Sequence, residues 1–469
     1  MASQTPTLEL EDIQGIVLFA YATLAHAAYV HVTFPPDARV RPNAWLAKVA
    51  ADVAGADVRT GKHGEKINVA LTAEGLTRMG LTKKELESFP RELQQGMGHD
   101  LRAHVLGDEG ENHPDTWEVG GPKTRPVHAL LMLFAHEEEA LTTLRQREAA
   151  RAADYGGEVV HVDEARIQDR EHFGFADGIE QPHVAGSPRK RPEHFVEVPA
   201  GEFILGYPNA YGELPPMPRG GDDFPIGRNG TFLVYRKLRQ DVSTFWSWML
   251  ENAARDRDHD GSPDDPPEVV ERRAVHTAAR MVGRWPSGAP LVHHPLADVP
   301  EGTPYQEDFG FAKLDPDGIR CPLGAHIRRA NPRDMLLPGP TESMKAVQRH
   351  RLLRRGRPYG PPPPESITEK ARPDGAERGL VFVVLNASIR RQFEFVQQTW
   401  INNSKFAGLY DERDPLVATV HDANAQMTIQ ACPVRSKLQG IPRFVTMRGG
   451  AYFFLPGRKA LAWIAARRA

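Results

Sequence analysis

Thr231-Phe-Leu-Val-Tyr235 and Asp241-Val-Ser-Thr-Phe-Trp-Ser-Trp-Met-Leu250 decide the fold. The first is a short run of β-branched and aromatic residues, the composition of a strand. In the second, Val242, Phe245, Trp246, Met249 and Leu250 fall at i, i+3, i+4, i+7 and i+8, one face of a helix that Asp241 can cap. A strand followed at once by an amphipathic helix is one βα unit, and the pattern recurs on both sides of it.

Upstream, Ala27–Phe34 reads as a strand, Asn43–Ala51 as a short helix and Ile67–Leu71 as a second strand. Thr82-Lys-Lys-Glu85 fits a capping box. Val127–Phe134 is a third apolar run, followed by a helix over about His136–Ala152 and a strand over Val159–Val162. Downstream, Arg255–Pro267 is a charged, Pro/Gly-rich surface excursion. Leu380–Leu385 reads as a buried strand, Ile389–Trp400 as a helix, Phe444–Phe454 as a strand around Gly449-Gly450, and Arg458–Ala466 as a closing helix. Two successive sets of this kind predict a duplicated α+β sandwich, with antiparallel sheets carrying helices on one face. The expected boundary lies in the Pro/Gly-rich segment between Gly212 and Arg228, dividing the chain into residues 1–220 and 221–469.

The chain has 469 residues, 40% hydrophobic and 25% charged, with a net charge of −3. That is a globular composition with material for two domains, and it does not single out nucleic acid or a membrane surface as a partner. Two cysteines, Cys321 and Cys432, cannot form a disulfide framework or a zinc cluster, and no Cys-x-x-Cys-His attaches a haem covalently. No run approaches the roughly 18 apolar residues of a membrane helix. The first residues lack an export signal, the expectation for a cytoplasmic protein. A P-loop, a His-Glu-x-x-His and a Gly-x-Ser-x-Gly elbow are all missing.

Three stretches concentrate chemistry. Cys321-Pro-Leu-Gly-Ala-His326-Ile-Arg328-Arg329-Ala-Asn331-Pro332-Arg333 sets a histidine beside small residues and arginines suited to anionic carboxylates. Phe173-Gly174-Phe175-Ala176-Asp177-Gly178 holds a carboxylate in a turn whose glycines permit positive φ. Leu352-Leu353-Arg354-Arg355-Gly356-Arg357 supplies a permanent cation able to stabilise developing negative charge. Each has a plainer reading: a core histidine, an Asp-Gly turn and a solvated basic loop. A histidine that holds iron needs a hydrogen-bond partner on its other ring nitrogen. Glu394, in Arg391-Gln-Phe-Glu394, is a candidate, although a salt bridge to Arg390 or Arg391 would equally occupy it.

Together these stretches resemble the dye-decolorizing peroxidases, in their larger class from bacteria and fungi. The resemblance rests on Gly-x-x-Asp-Gly at 174–178, His-Ile-Arg-x-x-Asn-Pro-Arg at 326–333 and the arginine segment at 354–360. It extends through Asp12-Ile-Gln-Gly15, Asn68–Ala73, Gly201–Tyr207, Asn229–Val234 and Arg391–Glu394. It implies two ferredoxin-like α+β domains, one haem b per chain held mainly by the second, and hydrogen peroxide with small aromatic or dye-like reductants as partners. His326 is implied as the iron ligand, Asp177 and Arg354 as the catalytic pair, Leu380 and Phe382 as lining of the haem face, and Arg328 as a propionate contact. Gly356 departs from relatives that carry Ser or Asn there. A carboxylate base, with an ordinary pKa near 4, is expected to keep activity into acid pH. Bulky dyes would need an electron path through an aromatic, with Trp400, Tyr359 and Tyr410 as candidates. The alternatives are a haem carrier, which requires neither Asp177 nor Arg354, and a cofactor-free structural protein, which metal analysis would reveal.

Overall fold

The computed structural model describes residues 7–37, 39–57, 64–191, 195–255, 265–420 and 424–467. The first set of elements is β1 (His26–Thr33), α1 (Pro42–Asp52), β2 (Lys66–Leu71), β3 (Ala129–Ala135), α2 (Glu138–Asp154) and β4 (Glu158–Arg166). All pairings within it are antiparallel, and the sheet order is β4-β1-β3-β2. The capping box forms as read: Thr82 Oγ1 accepts from Glu85 N, and the Glu85 carboxylate accepts from Thr82 N at 2.7 Å.

The second set is β5 (Thr231–Gln240), α3 (Val242–Arg255), α4 (Pro267–Val282), α5 (His326–Ala330), β6 (Leu353–Arg354), β7 (Arg357–Tyr359), β8 (Gly379–Asn386), α6 (Arg390–Glu394 and Val396–Ile401, both π-helical), β9 (Val445–Leu455) and α7 (Arg458–Ala465). Asp241 caps α3, its Oδ1 accepting from Thr244 N at 2.9 Å. The sheet order is β9-β5-β8-β6, with β7 also on β8. Last strand, first, third, second is the order of the first set too, so the duplication read from composition is a duplication of ferredoxin-like topology. A single bridge, Leu71 to Phe454, joins the sheets edge to edge into nine strands.

Strand alternation sorts side chains between two environments. On β5, Leu233 and Tyr235 enter a core shared with Tyr29 of β1 and Leu130 of β3, whereas Arg236, Leu238 and Gln240 face a cavity. On β8, Val381, Val383 and Leu385 join that core, and Leu380 and Phe382 face the cavity. Polar groups also cross between the sheets: Asp163 of β4 accepts from Tyr235 and pairs with Lys237 Nζ at 3.1 Å.

Two features were not read from sequence. Residues 256–264 of the charged excursion lie outside the described residues, but Pro267–Val282 is a helix that buries Ala274, Ala278, Ala279 and Met281. Residues 173–176, placed ahead of the expected boundary, pack on the second unit. The Phe173 ring stacks on Phe245 at 4.3 Å, Trp246 Nε1 donates to Phe173 O, and Ala176 N donates to Pro286 O. Among the described residues no helix is long and apolar enough to cross a membrane.

Candidate active site

The cavity beneath β5 and β8 has a volume of about 390 Å³. That is within the range of small-molecule and cofactor sites. Leu238, Leu380, Phe382, Phe393, Leu416 and Val445 supply apolar wall, and His326, Asp177 and Arg354 all reach it. Three motifs separated by up to 177 residues are thereby brought together.

His326 opens α5, a helix of little more than one turn. Its Nδ1 lies 2.8 Å from Asp414 Oδ2. A carboxylate only accepts, so Nδ1 carries the proton and Nε2 is left as the nitrogen able to take a metal. Asp414 is fully buried, and its Oδ1 accepts from Leu416 N and Val417 N, both at 2.9 Å. Burial works to raise the Asp414 carboxyl, but the imidazole, the Val417 N–H and Arg329 outweigh it and hold the pKa below the ordinary value.

Asp414 therefore takes the place expected for Glu394. Glu394 is committed elsewhere, accepting from Arg102 NH1 at 2.8 Å and Tyr452 OH at 2.9 Å, and it bonds neither Arg390 nor Arg391. The Arg328 expectation also fails. Two residues along a helix turn roughly 200°, so a side chain at 328 points away from one at 326. Arg328 is fully buried, donating to Asp315 Oδ2 at 3.0 Å and to the carbonyls of Cys321 and Asp315 at 2.8 Å. The arginines that line the cavity are instead Arg236, Arg284, Arg333, Arg351 and Arg354.

The turn carrying Asp177 needs both its glycines, with φ +102° at Gly174 and +76° at Gly178. Glu171, unremarked in the sequence, folds it by accepting from Phe173 N and Phe175 N at 2.9 Å. Asp177 Oδ1 accepts from Gly178 N at 2.6 Å and from Arg354 NH1 at 3.4 Å. Arg354 sits on β6, its register fixed by Val384 of β8. Its neighbours are no solvated loop: buried Arg355 donates to the carbonyls of Ile16 and Val17, and buried Arg357 to that of Leu24. Gly356 is explained by space, since a Cβ there would lie 2.3 Å from Val381 O. Of the candidate electron carriers, Trp400 lines the cavity, Tyr359 is buried beyond it with its OH donating to Glu377, and Tyr410 is 76% exposed.

No family model matches the chain. Among characterised proteins it is 30% identical to a dye-decolorizing peroxidase of Exidia glandulosa, over 97% of this chain and 87% of that one. The chain belongs to the dye-decolorizing peroxidase family. A multifunctional dye peroxidase of an Amycolatopsis species is also 30% identical, over 83% of this chain and 80% of its own. The crystal structure of a DyP-type peroxidase from Auricularia auricula-judae superposes with a TM-score of 0.78 at 26% identity, covering 98% of this chain and all of that one. A dye-decolorizing peroxidase in complex with 2,6-dimethoxyphenol gives 0.79 at 25% identity.

The peroxidases of this family are haem enzymes, and the residues present fit that group. The apolar wall suits a macrocycle, and His326 offers one ring nitrogen while Asp414 holds the other. Arg333 and Arg351 share the single carboxylate of Glu180, at 3.0 and 2.9 Å, and so bring one positive charge more than they are matched with.

Proposed function

We propose that this peroxidase binds haem b in the cavity, with His326 Nε2 as iron ligand and Asp177 and Arg354 as the catalytic pair, and that it reduces hydrogen peroxide while oxidising phenols and dye-like aromatics. One observation carries this reading: Asp414 fixes His326 through Nδ1 in the same cavity that Asp177 and Arg354 line. Bound there, haem iron supplies the redox chemistry that splits the O–O bond and draws single electrons from organic donors.

The chain's own groups do the rest. Asp177, open to the cavity, accepts the proton of the near peroxide oxygen and delivers it to the far oxygen, which leaves as water. The Arg354 guanidinium stabilises the negative charge that develops as the bond breaks. Leu380 and Phe382, which line the cavity, would give the flat group an apolar surface, and Arg333 and Arg351 would be the cations for its carboxylates. A pair that merely held haem would need neither the Asp177 turn nor the Arg354 register. Small phenols are proposed as donors by analogy with the relative that holds 2,6-dimethoxyphenol.

The test is the Soret spectrum of haem-loaded protein before and after one equivalent of peroxide, in wild type, Asp177→Ala, Arg354→Ala and His326→Ala. Wild type is expected to convert to a high-valent spectrum. The two distal variants should slow that conversion by about 10²–10³-fold, and the His326 variant should lose haem. Peroxide that only bleaches wild type, or distal variants reacting at the wild-type rate, would overturn the assignment.

A further inference from the structure

Among the arginines that line the cavity, most have a carboxylate of their own. Arg236 pairs with Asp108, Arg284 with Glu307 at 2.7 Å and Arg354 with Asp177 at 3.4 Å. Arg333 and Arg351 converge on one, Glu180, which is itself in the cavity wall. These two arginines come from different motifs. Arg333 ends the segment that begins with His326, and Arg351 lies three residues before Arg354. Glu180 follows Asp177 by three residues, so its carboxylate ties all three segments at one point.

The backbone around Glu180 closes the arrangement. Its carbonyl accepts from Arg354 NH2 at 3.1 Å, and the neighbouring Gln181 Oε1 accepts from Arg354 N at 3.2 Å. Arg354 is thus oriented by acceptors that move with residue 180. Arg333 has φ +53°, a left-handed conformation uncommon outside glycine. It is held there by Glu180, by the carbonyls of Glu307 and Phe309 at 3.1 and 2.8 Å, and by the Phe309 ring at 3.8 Å. Burial works to raise the Glu180 carboxyl, and the two guanidinium groups outweigh it, so the group stays ionised.

We propose that Glu180 is a positioning residue for the peroxide reaction: by clamping Arg333 and Arg351 it fixes Arg354 against Asp177. This rests on the reading of Asp177 and Arg354 as the catalytic pair. Glu180 acts through Arg354 and has no part in holding the organic donor. Its loss should therefore separate peroxide reactivity from donor binding.

The experiment uses haem-loaded protein carrying Glu180→Ala, Glu180→Gln or Glu180→Asp, with Arg354→Ala as reference. The readouts are the second-order rate with peroxide, the affinity for cyanide (a small ligand that competes with peroxide), and KM for 2,6-dimethoxyphenol. Glu180→Ala is expected to lose at least tenfold in peroxide rate and in cyanide affinity while KM for the phenol stays within twofold. Glu180→Asp should recover most of the loss. Glu180→Gln should fall between, since an amide keeps one acceptor oxygen and turns two donors toward the other guanidinium. A Glu180→Ala rate within twofold of wild type, with Arg354→Ala impaired, would overturn the proposal alone. An unimpaired Arg354→Ala would overturn the catalytic reading and this proposal with it. Equal losses in every readout and in haem affinity, not rescued by Asp, would mark Glu180 as structural only and also overturn it. Should Glu180→Ala not fold, Glu180→Gln, which keeps both arginines, carries the test: a several-fold loss in peroxide rate with KM for the phenol within twofold supports the proposal, and no loss refutes it.

Discussion

Replacing Asp414 by Asn isolates what the carboxylate does for His326. The side chain is fully buried and accepts three hydrogen bonds, from His326 Nδ1 at 2.8 Å and from Leu416 N and Val417 N at 2.9 Å each. Asparagine has nearly the same volume, and its oxygen can still serve the two backbone N–H groups. Its NH₂ then faces Nδ1–H, donor against donor, and the imidazole must shift or change tautomer. Outer partners of metal-bound histidines are worth 10–100-fold in metal affinity, which is about 1.4–2.7 kcal/mol. Titrating haem into the haem-free protein and following the Soret band should show that loss. With less negative charge behind the imidazole, the iron's reduction potential should rise, by about 59 mV for each tenfold preference gained by the ferrous state. Glu394→Gln is the control. It disturbs the buried contacts to Arg102 and Tyr452, so unfolding should become easier while haem affinity is unchanged. Asp414→Asn binding haem within twofold of wild type, or Glu394→Gln binding it tenfold more weakly, would refute the reasoning.

Two further outcomes are expected. Burial holds the pKa of His31 down to about 3 and those of His128 and His172 to about 4, while the same groups in the unfolded chain titrate near 6.5. Below pH 6.5 the unfolded chain binds more protons than the folded one, so stability falls as pH drops toward the folded values. At pH 5 the loss is about 2 kcal/mol for each histidine, or about 6 kcal/mol together, relative to pH 7.5. His326, raised by Asp414 against the effect of burial, works the other way in haem-free protein. Urea unfolding at the two pH values measures the difference, and a flat profile would contradict the buried-neutral assignment. Gly356→Ser should destabilise the protein by about 1–3 kcal/mol, because its Cβ would meet Val381 O at 2.3 Å. Thermal unfolding reads this, and an unchanged Tm would show that β8 yields there.

What was legible in the sequence follows from what is local. The short apolar runs of β5 and β8, the cap at Asp241 and the capping box at Thr82 depend on residues a few positions apart, and all formed as read. α4 escaped notice because its buried stripe is mostly alanine, which carries little hydrophobic signal between charged residues. At the site, the resemblance supplied His326, Asp177 and Arg354. Asp414 lies 88 residues beyond His326, in a charged segment with no periodicity to betray a buried acid. Glu394 has the burial a histidine's partner should have. Its partners come from residues 102 and 452, at distances along the chain over which no local pattern reaches. The direction of Arg328 is local, since one turn of helix at 326–330 already aims it away from His326.

The closing helix has a consequence for how the protein is made. α7 lies on α1, where Asn43 Nδ2 donates to Ile464 O across 421 residues, and Leu461 and Ile464 share a core with Trp45 and Leu46. Gln14 Nε2 likewise donates to Pro456 O. At ribosomal speeds of about 5–20 residues per second, about 20–85 s separate the synthesis of Asn43 from that of Ile464. Throughout that time the first unit has an unfinished apolar face. The half of the molecule synthesised first is therefore completed last, and a nascent chain arrested before residue 456 leaves Trp45 and Leu46 without that cover.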